Sequence, residues 1–127
     1  MPVSRVNGEA GGQLSVTDRG LLFGDGVFET LAIRDARPCF WARHMARLQA
    51  GCHRLGIAPV DEVQLRTEVD ELLQASPAAA HCVLKIIVTR GTGPRGYRPD
   101  PGAVPTRIVQ LHDWPDMASG AAGIRAT

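Results

Sequence analysis

A chain of 127 residues with 44% hydrophobic content holds enough apolar side chain for one core and too little for two. Its formal charge of +1 excludes a general pull toward nucleic acid or membrane, so any cationic surface has to be local. Cys39, Cys52 and Cys82 are odd in number and lack metal-ligand spacing, which points to reduced thiols, a cytoplasmic setting and no metal. Residues 1–12 are too polar and glycine-rich for a signal peptide, and no apolar run has the length needed to span a bilayer.

In chain order, residues 3–8 and 12–16 read as two short strands around a glycine-rich turn, and residues 27–34 alternate as a third strand. Asp35-Ala36-Arg37-Pro38 reads as a turn. The apolar period then changes. Trp41, Met45, Leu48, Cys52 and Leu55 form one stripe of a helix over residues 40–55, closed by Gly56. A second helix is expected from Asp61, whose carboxylate can cap free N–H groups while Gln64 reaches back. Leu65, Val69, Leu72 and Leu73 supply its buried face. Residues 83–90 and 105–111 are β-like and are expected to pair antiparallel. The order predicts an α+β fold, an antiparallel sheet with two helices packed on one face.

Between the last two strands, Thr89-Arg90-Gly91-Thr92-Gly93-Pro94-Arg95-Gly96-Tyr97 brings bare backbone together with fixed positive charge, the composition of an anion-holding loop. It also reads G-x-G-x-x-G. The dinucleotide fingerprint needs its last glycine in the first turn of a helix, and Pro99 and Pro101 exclude that helix. After Asp113 the composition changes to that of a linker, which divides the chain into a domain at residues 1–113 and a linker with the start of a further domain at 114–127.

Four blocks in order carry a resemblance: Ser15-Val16-Thr17-Asp18-Arg19-Gly20, Phe23-Gly24-Asp25-Gly26-Val27-Phe28-Glu29-Thr30, His44-Met45-Ala46-Arg47-Leu48, and Thr89-Arg90-Gly91 through Arg95-Gly96-Tyr97. Together they resemble the class IV aminotransferases, the pyridoxal-phosphate enzymes of fold type IV, and within them most closely the 4-amino-4-deoxychorismate lyases. The resemblance implies the N-terminal domain of that fold, with the cofactor between this domain and a larger second one and the active site completed in a homodimer. It implies cofactor-phosphate binding by Arg47, and substrate binding by Arg95, Tyr97, Lys85 and Phe28. Helical spacing agrees for Arg47, which falls on the flank of the apolar stripe. Strand alternation puts Lys85, Ile87 and Thr89 on one face.

Lys85 is the single lysine of the chain. The resemblance places the Schiff-base lysine in the second domain, so Lys85 is expected near a substrate carboxylate and no catalytic residue is expected within these residues. Asp25, Glu29 and His44 have no partner at diagnostic spacing and are read as structural; Asp18 and Arg19 are read as a turn with a local or interfacial ion pair. The function implied is that of part of a lyase that releases pyruvate from aminodeoxychorismate and leaves p-aminobenzoate for folate synthesis, inactive as this chain alone. The alternatives are a D-amino-acid or branched-chain aminotransferase, or a noncatalytic binding or dimerisation module.

Overall fold

Alternation of apolar residues with Phe28, Thr30, Ala32 and Arg34 makes a strand that can bury one face, and a computed structural model, which describes residues 3–77, 79–92 and 103–114, shows it. The strands are β1 (Val3–Val6), β2 (Glu9–Ala10), β3 (Gly26–Arg34), β4 (Arg37–Pro38), β5 (Cys82–Thr89) and β6 (Thr106–Asp113). They form one antiparallel sheet in the order β2-β1-β6-β5-β3-β4. The helices are α1 (Arg19–Phe23), α2 (Trp41–Leu55) and α3 (Glu62–Gln74).

The α+β expectation holds. Leu31 and Ile33 of β3, Leu84, Ile86 and Val88 of β5, and Val109 and Leu111 of β6 join Met45, Leu48 and Cys52 of α2 and Leu65, Val69, Leu72 and Leu73 of α3 in one buried cluster. Burying each large aliphatic side chain of this kind contributes roughly 1.5–3 kcal/mol, so the helix-covered face dominates the stability of the fold. Leu55 departs from the predicted stripe: it is the last residue of α2 and lies exposed. Asp61 caps α3 as expected, its Oδ1 accepting from the Gln64 N–H at 3.0 Å. Gln49 fixes the connection between the helices, donating to Val60 O at 2.7 Å and accepting from Val60 N–H at 2.9 Å.

Three local expectations are corrected. The second strand is not at 12–16 but at Glu9–Ala10, because Asn7 and Gly8 both adopt positive φ (51° and 83°) and close a two-residue turn that pairs Val6 with Glu9. The segment 35–38 holds a tighter turn than expected: Asp35 and Ala36 take φ of 51° and 59°, so Arg37 and Pro38 already pair back with Arg34 and Ile33 as β4. Proline is tolerated there because the strand is at the sheet edge. Finally, α1 was not expected; Asp18 starts it by accepting from the Gly20 N–H at 2.8 Å.

Candidate active site

Three carboxylates organise the end of the sheet where α2 finishes and the Gly/Arg loop departs. Asp18 is fully buried and, besides capping α1, accepts from the hydroxyls of Thr89 at 3.0 Å and Thr106 at 2.7 Å. It thereby ties α1 to the last residue of β5 and the first of β6. Thr89 Oγ1 also accepts from the Gly91 N–H at 3.0 Å. Gly91 has φ 95°, and a Cβ there would collide with the Val104 carbonyl, so glycine is required where the loop leaves the sheet.

Asp25, just before β3, accepts from Arg19 Nε at 3.0 Å and from Arg90 Nε at 2.7 Å and Nη2 at 3.2 Å. Burial by itself raises the Asp25 carboxyl, but the hydrogen bonds and charges of Arg90 and Arg19 outweigh it and hold the group below its ordinary value. Arg90 also donates to the carbonyls of Gly56 and Leu55, capping the C-terminal end of α2. The ion pair of Arg19 expected from the sequence is this local one, with Asp25.

Glu29, four residues further on, faces α2. His44 and Arg47 are three residues apart and share one side of that helix, so both reach the same carboxylate. Arg47 donates from Nε to both Glu29 oxygens at 3.0 Å and from Nη2 to Oε1 at 2.8 Å, and His44 Nδ1 lies 2.7 Å from Oε1. Here too burial raises the carboxyl, and the bonds from Arg47 and His44 reverse the shift and lower it. In return the Glu29 hydrogen bond and charge raise Arg47. The Glu29 side chain is 8% exposed, yet that of Arg47 is 61% exposed, so the guanidinium is oriented without being covered. Spacing did not reveal these partners; the strand alternation of Glu29 and the helical spacing of His44 and Arg47 were the available signal.

On the face of the sheet opposite α2 and α3, Lys85 and Phe28 come together, with Lys85 Nζ 4.7 Å from the centre of the exposed Phe28 ring. The expected face is observed: Lys85 and Ile87 alternate with the fully buried Leu84, Ile86 and Val88. Lys85 sits directly across from Thr30 on one side and Gln110 on the other. Arg95 and Tyr97 lie outside the described residues, as does the linker expected beyond Trp114. Among the described residues no helix is long and apolar enough to cross a membrane.

The profile of the amino-transferase class IV family matches residues 26–125. A crystal structure of 4-amino-4-deoxychorismate lyase from Pseudomonas aeruginosa is 46% identical with a TM-score of 0.78, covering 88% of this chain and 40% of that one. A hypothetical aminotransferase from Mycobacterium tuberculosis, solved in its PLP-bound form, is 26% identical with a TM-score of 0.78 over 95% of this chain and 43% of that one. The bifunctional aminodeoxychorismate lyase / D-amino acid transaminase of Mycobacterium tuberculosis is 30% identical over 110 residues, which are 85% of this chain and 36% of that protein. The chain thus spans well under half the length of these relatives, and the part it matches carries the antiparallel sheet and helices described above. It belongs to the amino-transferase class IV family.

Proposed function

We propose that this chain is the N-terminal part of an aminodeoxychorismate lyase, with residues 1–113 as one domain and residues from 114 leading toward another. The observation that carries the reading is the Glu29–His44–Arg47 cluster, in which a buried carboxylate aims an exposed guanidinium. The similarity to the Pseudomonas aeruginosa lyase supports the choice of reaction.

The residues present fit pyridoxal 5'-phosphate. Arg47 uses Nε and Nη2 on Glu29, which leaves Nη1 of a fixed, exposed guanidinium for a phosphate oxygen. When bound, the cofactor supplies the electron sink for cleavage next to the substrate nitrogen. The chain's own residues bind and orient. Arg47 holds the phosphate, Glu29 and His44 keep Arg47 in place, and Phe28 forms one wall of the substrate site with Lys85 beside it. Lys85 and Arg95 are assigned to the two carboxylates of aminodeoxychorismate, and Tyr97 to a further polar contact. Assembly as a homodimer completes the site, and the lysine that anchors the cofactor comes from the rest of the polypeptide.

The test is an assay of the full-length protein for p-aminobenzoate and pyruvate from aminodeoxychorismate, beside keto-acid formation from D-alanine and from leucine. Release of p-aminobenzoate is expected. Keto-acid formation without p-aminobenzoate overturns the lyase reading in favour of an aminotransferase, a second reading that the bifunctional mycobacterial relative favours. A protein that gives no absorption change with pyridoxal phosphate and no turnover would instead be a binding or dimerisation module.

A further inference from the structure

The open side of β3 ends in a feature that the assignments above leave unused. Thr30, Ala32 and Arg34 follow Phe28 on that side, and beyond Thr30 they border a cavity of about 610 Å³ together with Phe40, His44 and Trp114. This is the size of a small organic ligand's site. Three observations indicate what it would accept.

Arg34, like Arg37, Arg43 and Arg54, makes no ion pair among the described residues, whereas Arg19, Arg47, Arg90 and Arg107 are each neutralised by a carboxylate. Its guanidinium lies 5.9 Å from the centre of the Trp114 ring, so the cavity has a cation backed by an aromatic plane. Phe40 holds φ at 56° with its side chain exposed, a left-handed conformation rare for a bulky residue, and it makes no side-chain cap for α2. The fold therefore keeps a large ring uncovered at the cavity wall at the cost of backbone strain, a combination that collects at ligand sites. His44 is shared: it bonds the carboxylate that orients Arg47 and also lines the cavity, so the two sites adjoin.

Aromatic walls, one hydroxyl and an unneutralised guanidinium fit a flat ring that carries a carboxylate. We propose that Arg34 is a specificity-determining residue, selecting a carboxylate on a cyclic ligand held between Phe40 and Trp114. Both substrate carboxylates are assigned above to Lys85 and Arg95, so this ligand is a second carboxylated ring beside the substrate site, and the selectivity of the cavity does not rest on the function proposed above.

The experiment follows the indole N–H resonance of Trp114 in ¹⁵N-labelled protein, identified by its loss in Trp114→Phe. The protein is titrated with 4-aminobenzoate and with uncharged 4-aminobenzyl alcohol. The carboxylate is expected to bind about tenfold more tightly, with the preference gone in Arg34→Gln and partly kept in Arg34→Lys. Equal affinity for the two probes, binding of neither, or a preference that survives in Arg34→Gln overturns the proposal. Because the titration needs no turnover, a failed lyase assay removes the proposed function and leaves this result to stand or fall alone.

Discussion

Asp25 and Glu29 sit four residues apart at the entry to and within one strand, and each is held by two nitrogen-bearing side chains, yet the two clusters have opposite character. Around Asp25 both partners are enclosed: the side chains of Arg19 and Arg90 are 6% and 11% exposed, and Arg90 has further bonds to helix carbonyls. Around Glu29 the carboxylate is enclosed but Arg47 stands largely in solvent. A structural cluster satisfies every member internally. One built to meet a ligand leaves a charge fixed in direction and open on one side.

The contrast breaks most sharply if the enclosed cluster loses its centre. Asp25→Ala leaves two buried guanidinium groups without their counter-ion and is expected to cost about 3–5 kcal/mol in the urea unfolding midpoint and slope. Asp18→Ala strands the Thr89 and Thr106 hydroxyls and is expected to cost about 2–3 kcal/mol by the same measurement. Arg47→Ala should move the midpoint far less than Asp25→Ala while weakening pyridoxal-phosphate binding by about tenfold or more, read by spectral titration of the full-length protein. A midpoint loss as large as that of Asp25→Ala would make Arg47 another structural arginine.

Acid sharpens the same comparison. The folded state holds the Asp25 and Glu29 carboxyls below their ordinary values, so it binds fewer protons than the unfolded chain in that range. Their stabilisation is present in full above the ordinary carboxylate range and is lost as pH falls through it and below. Asp25→Asn is expected to flatten the acid limb of a stability–pH curve. The smallest effect is expected at the exposed His81–Asp35 pair, where His81→Ala should change stability by less than about 0.5 kcal/mol.

How much of this was legible follows from the range over which each signal acts. The stripe of α2, the cap of α3 and the alternation of β3 and β5 are local patterns, and all four elements were readable. A helix of five residues such as α1 is too short to show a period, and the Asn7-Gly8 turn was displaced because neighbouring glycines compete for the same role. The ion pairs were hidden for a different reason. Asp25 meets Arg90, and Glu29 meets His44 and Arg47, only after the sheet and α2 have packed. Arg47 was nominated by resemblance, but its aiming by Glu29 belongs to tertiary geometry. The Arg34 cavity likewise appears only when Phe40 and Trp114 converge on β3.

The place of β1 in the sheet sets an order of events during synthesis. Val3 pairs with Leu111 and Val6 with Ile108, so among the described strands β1 has its only long partner in β6, which is made much later. Until β6 emerges, the β1–β2 hairpin has no other described strand beside it, whereas β3, β4, α2, α3 and β5 can already gather around their shared apolar side. The hairpin therefore waits as an unpaired ribbon and docks late, which leaves it exposed to chaperones and to mispairing while the described residues are made.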